Sequence, residues 1–351
     1  MRPPVIIGGG PAGTTAALML RQAGHPSILI ERNAGPTDKP CGDFLAAAAI
    51  RAAESLRVSI AHLGGRPVTH LRLIRRARST ETPLPFQAMA LPRHVLDAAL
   101  LEACQRAGVH VLLGQSVPVP EEQDGDFTVD TAALGRISTG TVLLAHGRPT
   151  GQQRPSRRPP LSAYKMYFHV PTSVVAELAG TVELTVIPGG QVAVHAVGPR
   201  TLMLCLLSRR HDLDTPWDQV LAHTLTMAPG LARHLAAASP RTVAPLVAPL
   251  LPFGFLHRPR GIDHEGLYRV GDQAAFLSSL VADGVSVAMR GAMRATRTLL
   301  AGAGAGDYHR KLRAMLWPRV RLHADYQPER PNDPPRNHDP SITVQWNRLI
   351  A

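Results

Sequence analysis

The stretch Val5-Ile6-Ile7-Gly8-Gly9-Gly10-Pro11-Ala12-Gly13 decides how this chain is read. Three apolar residues run into a glycine-rich turn that fits GxGxxG. An Ala/Leu-rich helix then opens from about Pro11 to Ala23, with Gly24 as its stop. Gly8 permits the tight turn, Gly10 lets a backbone approach a pyrophosphate, and Gly13 lets helix and strand pack closely. The first turn of the helix, with Pro11 and Ala12, presents N–H groups and a positive dipole end to phosphates. Ser27–Glu31 is a second buried strand, so the unit is β-α-β and its sheet is parallel. Glu31 ends that strand, where a carboxylate accepts ribose hydroxyls and repels a 2′-phosphate. The fingerprint specifies a dinucleotide and leaves FAD and NAD open.

Outward from this unit, Arg93–Gly108 has helical spacing (Leu96, Leu100, Ala103), and Val109–Leu113 and Thr141–Ala145 are apolar strands. Gly151–Pro160 is a basic, Pro-rich linker. Tyr164–Val170, Thr181–Ile187, Gln191–Val197 and Thr201–Ser208 then read as strands joined by Gly/Pro turns, an antiparallel sheet. Helical segments at Trp217–Met227 and Leu231–Ala238 follow, then a strand at Gly266–Val270 and a helix at Gly284–Leu300. Five prolines between Gln327 and Pro340 mark an extended or partly disordered arm. The expected fold is α/β: a Rossmann-like domain with a parallel sheet (1–65, 93–160 and 256–310) and an inserted antiparallel-sheet substrate domain (66–92 and 161–255). Residues 311–351 would form a C-terminal helix and arm.

The 351 residues suit about two domains. No apolar run reaches the ~18–20 residues of a membrane helix, and the N-terminus passes straight into a strand, so the expectation is a cytoplasmic protein without signal peptide or stable membrane insertion. Cys41, Cys104 and Cys205 lie far apart with no CxxC, which argues against a zinc site or disulfide framework; Cys104 and Cys205 read as core. The net charge is +12, yet only three of the 38 basic residues are lysines and aromatics are 4%. Scattered arginines without a stacking platform argue against nucleic acid. They leave room for an anionic ligand or an acidic partner.

The second glycine-acid pair selects flavin. Leu267–Val270 ends in Gly271-Asp272, and about a dozen residues later Asp283-Gly284-Val285 opens an amphipathic helix. The stretch Gly271–Arg290 (GDQAAFLSSLVADGVSVAMR) resembles the FAD superfamily of the aromatic-ring flavin hydroxylases and geranylgeranyl reductases. Glu31-Arg32 with Lys39-Pro40-Cys41-Gly42-Asp43-Phe44-Leu45 resembles the reductase branch's Cys-Gly loop, and Arg93 resembles the family's FAD-contacting arginine. The resemblance spans about residues 4–310. It implies FAD in an extended pose, with Asp272 on the ribityl side, the 284 helix aimed at the flavin pyrimidine, and Cys41-Gly42 beside the isoalloxazine. The chain departs from the hydroxylases at Ala145-His146-Gly147, where they carry Asp-Gly, and within Ser278-Ser279, where they carry a proline. The flavin halogenases' Trp-x-Trp-x-Ile-Pro signature is absent.

For chemistry beyond the flavin, Cys41 either tunes the ring or reacts with substrate, or is a small packing residue. Asp43 is an acid/base or a cap on the following Ala-rich helix. Lys165, Tyr167 and His169 share one strand face by alternation, either a polar roof over the flavin that holds a substrate carboxylate or carbonyl, or a solvated outer face. His146 is a departure of interest or a structural histidine. Leu246–Phe255 (LVAPLLPFGF) lines an apolar substrate channel or belongs to the core. No metal site is expected.

These readings imply an FAD-dependent oxidoreductase. Its first expected chemistry is monooxygenation of a small, mainly apolar metabolite in a specialised pathway, with NADH or NADPH as donor and the substrate free or on an acidic carrier protein. The alternative is hydride transfer at flavin N5, as in the geranylgeranyl reductases. A partner subunit that binds flavin with little catalysis of its own is the alternative of another class, and a separate flavin reductase would then supply electrons.

Overall fold

A computed structural model describes residues 2–76, 78–148, 161–209, 215–251, 254–259, 264–277 and 283–325. The linker at 151–160, Ser278-Ser279 and the proline-rich arm lie outside these residues.

The Rossmann-like sheet is fully parallel, with strands Leu267–Arg269, Val142–Leu144, Val5–Ile7, Ile28–Glu31 and His110–Leu113 side by side in that order. Its central strands are short continuous apolar runs, as expected of strands covered on both faces. Ile6, Leu29 and Leu143 pack under helices Pro11–Gln22, Arg93–Arg106 and Gly284–Leu300. Val5, Ile7, Ile28, Ile30, Val142 and Leu144 pack on Phe127 and Val129 of a small three-stranded antiparallel sheet at 122–139.

The second sheet has nine strands. Leu161–His169, Thr201–Ser208, Gly190–Gly198 and Thr181–Ile187 form the expected antiparallel meander. It is extended by the hairpin Arg66–Arg75/Arg78–Ala90 and by Phe44–Ala46. The junction between the two parts, Thr181–Ile187 against Arg66–Arg75, is parallel, so the insert is not purely antiparallel. One face of this sheet, with Tyr164, Met166 and Phe168, carries the helices Trp217–Met227 and Pro229–Leu235. The other face carries Tyr167, Met203 and Leu207 and contacts residues 44–46, next to the loop before them.

Leu246–Leu251 joins the sheet beside Leu161–Lys165. It is not wholly core: Leu251 is buried, while Val247 and Leu250 are 43% and 42% exposed. Phe253, in the same apolar run, lies outside the described residues. The last helix, Ala305–Asp325, starts earlier than expected and packs on Gly284–Leu300. No helix among the described residues is long and apolar enough to cross a membrane.

Candidate functional site: the nucleotide cradle and the Cys41-Gly42 loop

The cradle lies at the carboxyl ends of the parallel strands, where open α/β sheets bind ligands. Gly8 has φ +115°, and a Cβ there would lie 2.4 Å from the Ala145 carbonyl oxygen. A Cβ on Gly13 would lie 1.8 Å from the Gly8 oxygen. Both positions admit only glycine because strand, turn and helix touch through backbone. Gly10 differs. It has ordinary extended angles (φ −76°, ψ −175°), and a Cβ there would meet nothing within 4 Å. Glu31 closes the turn: Oε2 accepts the Gly9 N–H at 2.6 Å, and Oε1 accepts the Asn33 backbone and side-chain N–H groups. Glu31 and Gly10 line an open hollow with Gly9, Asn33, Lys39 and Asp97. Arg32 is exposed beside it.

Gly271 (φ +59°) turns against the first helix, its Cβ direction meeting the Ala12 methyl at 3.1 Å. The two glycine turns are thus packed together although 260 residues separate them. Burial pushes the Asp272 carboxyl up to about 6, against the opposing pull of Arg93 and Arg148. Arg93 chelates Asp97 through two 3.0 Å hydrogen bonds. Burial draws its guanidinium down, but Asp97 and the Cys41 thiol outweigh this and leave it above its usual value. Arg93 therefore joins the Cys41 loop to its own helix, within electrostatic reach of Asp272.

Gly284, with open space beside it, starts the 284–300 helix, and Val285 is buried at its first turn. The Asp283 side chain turns away to Arg319 at 2.6 Å, so this helix start offers backbone groups rather than a carboxylate. His146 is exposed, with its Nε2 3.1 Å from Gln273 Nε2, which also donates to the Gly147 carbonyl at 2.5 Å. Partial burial, then Arg269 and Arg32, hold this imidazole below its usual value.

Of the four residues expected to carry chemistry, three come together. Asp43 has no exposed surface. Its Oδ1 accepts Lys165 Nζ at 2.8 Å and the Arg93 backbone N–H at 3.0 Å, and its Oδ2 accepts the Tyr167 hydroxyl at 2.5 Å. The Ala-rich helix Ala47–Ser55 begins after Ala46 without a side-chain cap, so the expected capping role is corrected. Asp43 instead holds the first N–H of a different helix, Arg93–Arg106. Lys165 is also fully buried, which corrects the solvated-face reading at this position. Cys41 is half-buried beside Arg93. His169 shares the strand's alternation but is exposed, two steps beyond Tyr167, paired with Thr201 and Ser239.

The sequence reading missed Asp38, His94 and His195. Asp38 Oδ1 accepts Tyr167 at 3.1 Å and stands 2.7 Å from His94 Nδ1. His195 Nε2 donates to the Gly42 carbonyl at 2.8 Å. No local motif marks them; of the three only His195 lies on the sheet, in register with Tyr167 through Met203. Among the described residues no group of three or more His, Cys, Asp or Glu forms a metal site.

Residues 3–135 match the family described as FAD binding domain. The N-terminal part of this chain is thus similar to an FAD binding domain. The residues present fit FAD: the open flank at Gly10 leaves room for a backbone-bound phosphate, and Gly271-Asp272 and the Gly284 helix start would supply a second contact region. Over 153 residues the chain is 31% identical to a menaquinone reductase of Mycolicibacterium smegmatis, covering 41% of this chain and 37% of that protein. It is 29% identical over 152 residues to a menaquinone reductase of Mycobacterium tuberculosis, again covering 41% and 37%. The match thus spans little more than a third of the length of these curated relatives. The fold is shared with the myxobacterial chondrochloren halogenase CndH (TM-score 0.79, 19% identity, 99% of this chain and 89% of that one). It is also shared with a flavoprotein/dehydrogenase from Cytophaga hutchinsonii (TM-score 0.76, 16% identity, 92% and 86%).

Asp272 gives the protein a pH signature. A carboxyl whose folded-state pKa lies above its unfolded value near ~3.9 adds stability below that value and loses it as pH rises through about 6. FAD-free protein is therefore expected to lose stability across this window. Asp272→Asn should flatten the profile and melt higher than the parent at about pH 7.5. A parallel profile in the variant, followed by thermal melts across pH, would refute the assignment.

Proposed function

We propose that the protein is an FAD-dependent oxidoreductase acting on a small, mainly apolar metabolite, with a quinone or isoprenoid as the leading substrate class. The observation that carries this reading is the packing of the Gly271 turn and the 284–300 helix against the 11–22 helix that the Gly8–Gly13 turn opens. Bound FAD supplies the two-electron chemistry. Gly10 and the 11–22 helix start would hold its phosphates, Glu31 would fix the turn beneath its ribose, and Asp272 would take the ribityl side. The 284–300 helix start would offer N–H groups to negative charge on the reduced ring.

Hydride transfer is favoured by the 31% identity over 153 residues to a menaquinone reductase. Oxygenation of such a metabolite, free or carried on an acidic protein, is the second reading. The fold shared with a halogenase over nearly the whole chain supports it. NADH or NADPH is the proposed donor in both, directly or through a separate reductase.

The test is spectroscopic. Purified protein should show flavin absorption, bleach anaerobically with NADH, NADPH or dithionite, and regain colour on addition of menadione in the absence of air. Recovery only on admitting oxygen, with substrate oxygenated, would favour the second reading. Protein that takes up no FAD would overturn both.

A further inference from the structure

Residues 38–43 lead into the first strand of the large sheet, and side chains of that sheet grip four of the six. Lys165 Nζ donates to Asp43 Oδ1 at 2.8 Å and to the Lys39 carbonyl at 3.2 Å, and stands 3.8 Å from Asp38 Oδ1. Tyr167 brings its single hydroxyl proton between Asp43 Oδ2 and Asp38 Oδ1. His195 Nε2 must carry its proton, because the Gly42 carbonyl it contacts only accepts. Cys41 sits inside this bracket, its own N–H turned back to the Lys39 carbonyl at 2.7 Å. On its far side is the Arg93 guanidinium, which reaches Asp97 and feels Asp272.

The backbone agrees. Asp43 has φ +51°, a left-handed conformation uncommon for a residue other than glycine. It is held there from both ends, its carbonyl accepting Leu91 N–H at 2.9 Å and its carboxylate the Arg93 N–H. A buried ion pair is a poor route to stability, since apolar residues of similar volume often serve as well. What this pair supplies is direction: it fixes the loop in one position relative to both sheets. Neither partner has exposed surface, so neither meets a bound molecule as an acid or base in this arrangement.

We propose that Lys165 and Asp43, with Tyr167 and His195, are positioning residues that latch the Cys41-Gly42 loop against the FAD cradle, and that the bond from the Arg93 N–H to Asp43 carries this placement to the 93–106 helix, whose Asp97 lines the cradle beside Gly9 and Gly10. The latch rests on the FAD reading only for what it serves.

Cys41 reports on it directly. Cys104 is fully buried, and burial pushes the Cys104 and Cys205 thiols up to about 12, so alkylation mapped by peptide mass spectrometry resolves Cys41. Iodoacetamide labelling of folded Asp43→Asn/Lys165→Met, in which both charges are gone, should be about tenfold faster at Cys41 than in the parent. FAD should protect Cys41 in the parent and fail to do so in the variant, while FAD affinity changes by less than about fivefold. Should circular dichroism find the double variant unfolded, Tyr167→Phe, which keeps the ion pair, is read in its place. An unchanged Cys41 rate in a folded variant overturns the latch. A faster rate with FAD protection intact overturns its link to the cradle. Parent protein that binds no FAD would sink the proposed function instead, and the FAD-free rates would still judge the latch.

Discussion

Gly10→Val is expected to keep the fold and lose the cofactor, while Gly13→Val loses the fold. Gly10 has angles open to any residue and empty space where a side chain would go, so nothing within the protein demands a glycine there. Valine as N-cap costs about 1 kcal/mol, a fall of roughly 2–4 °C in a chain of this size. The same side chain would stand where a phosphate must approach the helix start, and FAD binding should weaken about 100-fold or more, some 2.7 kcal/mol. Gly13 is the opposite case. Its Cβ would strike the Gly8 carbonyl at 1.8 Å, and neither partner is a flexible side chain that can swing away. Several kcal/mol should be lost, about 4 or more, which is exceptional for one residue. Thermal melts and flavin-fluorescence titration distinguish the two. Retained FAD affinity in Gly10→Val would place the phosphates elsewhere.

Lys165→Met is the second large effect. It leaves the Asp43 carboxylate buried without its cation, and removing one partner of such a pair costs about 3–5 kcal/mol. Adding Asp43→Asn should restore more than half of the loss, because the asparagine keeps an oxygen for the Arg93 N–H without a charge to solvate. Denaturant titrations of the parent, both singles and the double measure the coupling. Strictly additive losses would mean the two side chains do not act as a pair.

What could be read from the sequence was what is local. The strand, glycine turn and helix of residues 5–22 are encoded in contiguous residues, as are the Gly271-Asp272 turn and the 284–300 helix. The hairpin at 66–90 was harder. Its second strand carries Pro83 and Pro85 and many exposed polar residues, and alternation there is weak. The parallel contact of 66–75 with 181–187 joins segments more than a hundred residues apart, beyond any local pattern. The Asp38–Tyr167–Asp43–Lys165 cluster is similar, since its members come from two stretches that meet only when the sheets pack. Alternation grouped His169 with Lys165, but four residues along a strand is about 13 Å, enough to carry it clear of the loop.

The order of strands in the parallel sheet also sets a timetable. Val5–Ile7 lies between Ile28–Glu31, made almost at once, and Val142–Leu144, whose own outer neighbour is Leu267–Arg269. At ~5–20 residues per second of synthesis, the first glycine turn waits on the order of tens of seconds for the strand that completes its sheet and for the helix packed beside it. The nascent N-terminal segment therefore leaves the ribosome with one edge of its innermost strand unpaired. Cofactor loading becomes an event of the finished chain, and a fragment ending at residue 135 should not reproduce it.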